Sequence, residues 1–353
     1  MRNRILCIAI LAVFFCSSPL TADDKELQAP AETPEPGAAD DTEKPYEIKP
    51  EALVHIKYEW EPEEQEDGQD LDLSRARIGL RVSYEKFVQA KVEFDARADD
   101  ILKNGWIKLR FLRELKLKAG FFKRPFLKIR MRSPHNIETI NRGAIDRTLK
   151  YGMDYTSHKT GAALEGKVFK KAPLRYKVGV FPDFQASRGV VSSNDLVAMV
   201  SVRPVKKLEI GAAGEIKFLT SDEAHADMTV AANLFFDADI KHWHALVEGV
   251  VGQDPRFVGT PLFFGGIGMV SYTFDIMSAK PLVGIRPVIK GEVMEPDVEI
   301  VDDIALMGTA GVDLLLVYNV RFGIDAEYHY AQRNNRDGEE NEFVLLALLG
   351  WEL

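Results

Sequence analysis

From Glu51 to the C-terminus, apolar side chains recur at every second position and the positions between them are polar, many of them charged. Val320, Phe322, Ile324, Ala326, Tyr328 and Tyr330 alternate with Arg321, Gly323, Asp325, Glu327 and His329. Ala76, Ile78, Leu80, Val82 and Tyr84 alternate with Arg75, Arg77, Gly79, Arg81 and Ser83. A period of two is the signature of a strand whose faces meet different surroundings. A soluble sandwich also has one apolar face, but its strands do not carry an ionic residue at nearly every second position. Runs of about ten residues also match a tilted membrane crossing. Roughly 16 such runs can be counted, an even number as closed antiparallel barrels require. The runs near Leu262 and Leu282 are the least regular. Links alternate between short (Glu85-Lys86, Arg113-Glu114, 203–206, 237–240, 317–319) and long (61–73, 125–159, 182–194, 218–226, 253–261, 293–302, 332–341). The expectation is an all-β, transmembrane antiparallel β-barrel over 51–353, with short turns at one end and long loops at the other.

The N-terminus has the form of an export signal: Arg2 and Arg4, an apolar run from Ile5 to Phe15, and a small residue at Ala22. Residues 1–22 are therefore expected to be a cleaved signal peptide, and the apolar run is too short to span a bilayer as a helix. Both cysteines, Cys7 and Cys16, lie within it, so the remaining chain is expected to have no disulfide or thiolate chemistry. Residues 23–50 hold nine acidic and three basic residues and are Pro- and Ala-rich, which predicts a disordered acidic leader on the periplasmic side. With that end in the periplasm, all the long links fall outside the cell.

The net charge of -9 is unevenly distributed. Residues 61–72 have seven acids and no base, whereas 101–170 have 17 Lys+Arg against five Asp+Glu. In that basic block the strand ending at Arg124 is cut off by Pro125, which has no N–H for a ladder. A segment of more than 30 residues follows, carrying Lys128, Arg130, Arg132, Arg142, Arg147 and Lys150, before a strand resumes near Thr160. Links this long in compact proteins are functional or disordered. The predicted arrangement is an infolded third extracellular loop that sets what passes through the lumen.

Aromatic residues near strand ends (Trp60, Tyr84, Trp106, Phe122, Tyr176, Tyr272, Tyr318, Tyr330, Trp351) are expected to form interfacial girdles. The last strand places Leu345, Ala347, Leu349, Trp351 and Leu353 on one face. Arg75-Ala-Arg-Ile-Gly-Leu80, Val92-Glu-Phe-Asp95, Leu117-Lys-Ala-Gly-Phe-Phe-Lys-Arg-Pro-Phe126 and Gly161-Ala-Ala-Leu-Glu-Gly166 occur in that order. Over 74–166 this resembles the phosphate-selective porin O and P family. The resemblance implies a 16-stranded, homotrimeric outer-membrane porin whose third loop folds into the pore, with phosphate or polyphosphate as solutes in its best-known members.

If apolar positions face lipid, Arg75, Arg77, Arg81, Lys108, Arg110, Lys116, Lys118, Arg175 and Lys177 face the lumen, while Arg124, Arg130, Arg132 and Arg147 belong to the loop or its hinge. Lys and Arg lining a pore favour anions, and the arginine fork matches phosphate oxygens. The later strands place Glu209, Glu215, Glu248, Glu292, Asp313, Asp325 and Glu327 on the same inner side. A basic wall facing an acidic one would give a transverse field and only a moderate anion preference. The expected partners are outer-membrane lipid and small anionic solutes. Nucleic acid is not among them, and neither a cofactor nor a metal is called for. No Gly-x-Ser-x-Gly elbow and no phosphate-cradling glycine loop is present, so an enzyme is not expected. His242 and His244 share a face, as a metal pair would, but read first as polar or interfacial histidines, and Asp67, Asp70 and Asp72 form an acidic group without the ligand order of a known cation loop. The rival expectation is a non-conducting outer-membrane barrel, plugged by 125–159, acting as scaffold or adhesin.

Overall fold

The computed structural model describes residues 45–62, 69–97, 101–169, 173–182, 193–220, 226–276, 280–332 and 341–353. The expected signal peptide, nearly all of the leader and the centre of the acidic link 61–73, with Asp67, lie outside these residues.

Among the described residues every long element is a strand: β1 (Tyr46–Trp60), β2 (Gln69–Tyr84), β3 (Val88–Asp95), β4 (Leu102–Arg110), β5 (Lys116–Lys123), β6 (His158–Val168), β7 (Leu174–Phe181), β8 (Ser193–Val205), β9 (Leu208–Leu219), β10 (Met228–Ile240), β11 (Trp243–Gln253), β12 (Leu262–Tyr272), β13 (Phe274–Asp275), β14 (Leu282–Glu295), β15 (Ala305–Leu316), β16 (Val320–Ala331) and β17 (Glu342–Glu352). Each pairs antiparallel with its neighbour, and β1 also pairs with β17, so the sheet closes on itself. The two-residue β13 sits beside β14 after β12 has ended, which leaves 16 strands in the wall. Closure joins the two sheet edges around the ring, where β1 from Leu53 onward pairs with β17. No described helix is long and apolar enough to cross a membrane.

β1 starts at Tyr46, five residues before the expected leader boundary. Its first residues pair only with β2, because pairing with β17 begins at Leu53. Pro50 thus lies on a one-sided stretch, where a missing N–H is tolerated.

The outer face is the apolar one. Leu234 and Ile289 are 68% and 65% exposed, while their neighbours Phe235 and Lys290 are buried inside. Trp106 and Phe122, expected at the girdle, turn inward instead. Trp106 shares parity with Lys108, and the ammonium groups of Lys108 and Lys118 stand 5.1 and 4.4 Å from its ring centre. Phe122 meets Phe181 edge-on at 5.3 Å. Both rings exchange an interfacial position for contacts inside the barrel.

The interior is not uniformly polar. Residues 124–157 fold into the lumen and bury Phe126, Leu127, Ile129, Ile145, Leu149, Met153 and Tyr155 against Phe181, Val197, Phe235, Leu246, Val250, Phe263, Ile267, Met269, Val288 and Met294. A second contact sets Ile140 on Val344, Leu346 and Leu348 of β17. The inward face of the strands from β7 to β14 therefore mixes a hydrophobic core shared with the loop with buried acids such as Glu215, Glu248 and Glu292.

Gly120 ends the apolar alternation of β5 at φ +127°, and a side chain there would come within 2.7 Å of the Trp106 Cα. Both the backbone conformation and the close approach to β4 demand glycine. Gly120→Ala is expected to destabilise the barrel by about 1–3 kcal/mol or more. A lower midpoint in urea titration of the refolded protein in detergent would register this.

Candidate functional site

A buried segment without regular ladders must find partners for its backbone groups, since each unmet N–H costs about 1–3 kcal/mol. The strands supply them with carboxylates. Glu248 of β11 accepts from the backbone N–H of Lys128 and of Ile129, the latter at 3.1 Å. Asp325 of β16 accepts from Ile140 N–H at 2.6 Å, and Glu292 of β14 from Ile145 N–H at 3.0 Å. Gly143, two residues earlier at φ +110°, lies against that same Glu292 carboxylate, where any Cβ would clash. Carbonyl groups are served in the same way. Arg321 of β16 donates to the carbonyls of Ile137 and Glu138 and is held by Asp313 at 2.6 Å. Lys290 of β14 donates to Asn141 O.

Side-chain pairs complete the attachment. Arg124, fully buried, meets Asp195 of β8 at 2.6 Å, Glu215 of β9 at 2.5 Å and Asp154 of the loop's own return at 2.8 Å. Lys217 and Lys159 join the same cluster. Lys128 bridges Glu209 and Asp237 at 3.1 and 2.9 Å. His244 is held between Asp237 and Glu138, and Arg132 grips Glu138 through two parallel bonds of 2.9 Å. His242 lies apart at the strand end beside Asp275. The described residues contain no group of three metal-ligating side chains.

Six of the seven acids expected to form a lumenal anionic wall thus touch the loop directly, and Asp313 acts through Arg321. Their charge is spent on backbone amides and buried cations. Of the seven, only Glu327 also borders a further space between the loop and the wall.

That space is a cavity of about 460 Å³ between the loop and the wall formed by β1–β6, β15 and β16, at the long-link end. Its lining has ten Lys or Arg against four Asp or Glu, so it is strongly cationic. Arg75 and Arg77 reach it from β2, Lys57 from β1, Lys103 from β4 and Lys123 from β5, while Arg130, Arg142, Arg147 and Lys150 come from the loop. Some of the charge is balanced: Arg77 pairs with Asp95 at 2.8 Å and Arg130 with Asp146 at 3.0 Å. Arg75, Lys123, Arg142 and Lys150 form no ion pair with the described residues. Arg75 contacts His55 Nδ1 at 3.0 Å, Lys123 donates to the Arg130 carbonyl at 3.0 Å, Arg142 donates to the Arg132 carbonyl at 3.0 Å, and Lys150 lies 3.7 Å over the Tyr151 ring. Burial, and then the guanidinium groups of Arg130, Arg75 and Arg77, pull Arg142 below the usual arginine range against the pull of Asp146. Burial, and next the like charge of Arg130, pushes Lys150 down to about 7.

Of the candidate residues named from the sequence, Arg75, Arg77, Arg130 and Arg147 line this cavity. Arg81, Lys108, Lys116 and Lys118 point inward but nearer the short-turn end: Arg81 pairs with Glu51, Lys108 pairs with Glu165, and Lys118 caps Trp106. Arg110 is exposed at the strand end. Arg124 and Arg132 do not line the cavity, because buried carboxylates hold them in the loop's attachment. Lys57, Arg97, Lys103, Lys123, Arg142 and Lys150 were missed as site residues. Lys57 lies on the polar face of its strand, and Arg142 and Lys150 lie in the cationic loop; that much was readable.

No protein-family model matches the chain, and no curated protein matches it. Solved structures do match at the level of fold. OmpF of Salmonella typhi, in complex with daunomycin, aligns with TM-score 0.64 and 10% identity over 87% of this chain and 97% of that one. An anion-selective porin from Comamonas acidovorans gives 0.62 and 10% over 87% and 99%. The trimer form of the outer-membrane protein OmpT of Vibrio cholerae gives 0.58 and 12% over 87% and 99%. The chain has the fold of these outer-membrane barrels over nearly their whole length.

Replacing Arg124 by Ala would leave three carboxylates buried around an empty site. The expected cost is about 3–5 kcal/mol, seen as a lower unfolding midpoint. A change at exposed Arg110 should leave that midpoint unchanged.

Proposed function

We propose that the chain is an outer-membrane porin whose water-filled path for small anionic solutes runs along the cationic wall between β2 and the infolded loop. The observation that carries this reading is the division of charge: the wall acids bind the loop, and the cations facing the remaining space are only partly balanced. An anion entering that space meets Arg75, Arg142, Lys123 and Lys150 without displacing a protein carboxylate from any of them. The likeness in fold to an anion-selective porin agrees with this. The reading replaces the transverse field expected from the sequence with a net positive constriction.

The resemblance over residues 74–166 makes phosphate or polyphosphate the first solutes to try. The arginines supply planar donors for such oxygens. In this reading residues 1–22 direct export, 23–45 form a periplasmic leader, and the outer apolar belt contacts lipid. A homotrimer is proposed in line with the trimeric form of one structural neighbour. The alternative, a non-conducting scaffold, draws on the half of the lumen that the loop fills with packed side chains. Steady open steps in planar bilayers support the porin; a silent but correctly inserted barrel supports the scaffold.

Under a KCl gradient the reversal potential should show anion preference, and cation preference would overturn the proposal. Neutralising Arg75 or Arg142 to Gln should lower the anion-to-cation permeability ratio about twofold to tenfold each, the equivalent of about 0.4–1.4 kcal/mol. Lys150 carries its charge below its pKa of about 7 and loses it above. Anion preference should therefore weaken between about pH 6 and about pH 8, and Lys150→Arg, which stays charged, should flatten that step.

A further inference from the structure

The cavity beside the infolded loop is bordered by side chains with unmet hydrogen-bonding atoms of both kinds. Two of these atoms are acceptors. Asp146 of the loop, 5% exposed, takes Arg130 on Oδ2 at 3.0 Å, and its Oδ1 has no partner among the described residues. Glu327 of β16, 2% exposed, takes Asn141 on Oε2 at 3.1 Å, and its Oε1 has no partner among the described residues either. His329 Nε2 stands 3.7 Å from that carboxylate, too far for a hydrogen bond. Two more of the unmet atoms are donors, the buried Nε–H groups of Arg130 and Arg142. Asp146, Glu327, Arg130 and Arg142 all line the same space of about 460 Å³. A buried acceptor left unmet is costly. A plain anion answers the arginines and sets its own negative charge against both carboxylates. An anion that carries a hydroxyl answers the two kinds of group together, accepting with its charged end and donating with its O–H.

We propose that this cavity selects organic anions of the hydroxy-acid class over plain anions of the same charge and size, with Asp146 and Glu327 as the acceptors that set the preference. The inference rests on reading the cavity as the path for anions. The carboxylate of the solute is held by Arg142 and Arg130, and its hydroxyl donates to Asp146 Oδ1 or Glu327 Oε1. A site built to bond a hydroxyl discriminates against the analogue that lacks it, because its own polar groups are then left unpaired. An amino group could also donate to these oxygens, but it would bring a positive charge among ten Lys or Arg against four Asp or Glu. A hydroxyl brings none. The two acids therefore remain useful in a cationic cavity: they cost a bare anion affinity and return it to a hydroxylated one.

The test uses the full chain and three sodium salts at matched ionic strength: lactate, propionate and 2-methoxypropionate. The last keeps the oxygen of lactate but cannot donate from it. Each is titrated against the thermal unfolding midpoint of the protein refolded in detergent, and against the chloride current of the same protein in planar bilayers. The expected result is half-maximal action of lactate at a concentration at least about fivefold below that of either analogue, in both measurements. Glu327→Met should reduce that ratio at least about twofold, and Asp146→Ala is a second variant if Glu327→Met does not fold. Equal action of the three salts on a barrel that conducts anions overturns the proposal and leaves the porin reading standing. A lactate preference in the unfolding midpoint of a barrel that never opens supports the site and removes the porin reading. A preference unmoved in both variants overturns the assignment to Asp146 and Glu327.

Discussion

A backbone that leaves the sheet and enters the lumen must be given hydrogen-bond partners there, and the rest of this structure follows from how that demand is met. Residues 124–157 form only short helical turns, such as α1 (Lys128–Met131) and α2 (Ala144–Arg147), so most of their amides have no ladder. Glu248, Glu292 and Asp325 stand in for the missing ladder. A carboxylate suits this role better than an amide would, because it accepts from several donors at once and forms the stronger, charge-assisted bonds. The apolar contacts around Phe126, Ile129 and Tyr155 then bury the segment, and the two kinds of attachment require each other. Packing without the acids would strand amides, and the acids without the packing would stay in water.

The uneven charge of the lumen is a by-product of the same arrangement. The wall acids are on the side of the lumen to which the loop is fixed, and the loop's amides and cations meet them there. Most of what borders the cavity comes from β1–β5 and from the far flank of the loop, where the sequence is basic. Chemical asymmetry across the lumen therefore arises from where the loop is anchored, not from a pattern repeated on every strand.

This explains which parts of the architecture could be read in the sequence. β2, β3 and β16 show clean alternation because lipid lies on one side and water or ion pairs on the other. β12 was poor in the sequence because Phe263, Ile267 and Met269 face a hydrophobic loop while their neighbours face outward, so both sides are apolar, and β14 shares this at Val288 and Met294. β17 has the same property through Leu346 and Leu348. For the site, strand parity located Arg75 and Arg77, and the basic composition of the loop marked its importance. Parity could not show that Arg124 and Arg132 would be taken up by buried carboxylates, since Asp195, Glu215 and Glu138 are joined to them only by the folding of the loop. Trp106 and Phe122 were misplaced by their nearness to strand ends; the parity shared with Lys108 and Lys118 was the better guide.

Arg124 is fastened to β8 and β9, and Arg321 of β16 with Leu346 and Leu348 of β17 hold residues 137–140 on the opposite side of the ring. The segment is therefore a diameter as well as a lining, joining walls about half a circumference apart. A hollow cylinder flattens easily under sideways load, but one with a strut across it does not. Lateral pressure from the surrounding bilayer should deform this barrel little, and the width of its opening is set by the length of the strut rather than by the lipid in which it sits.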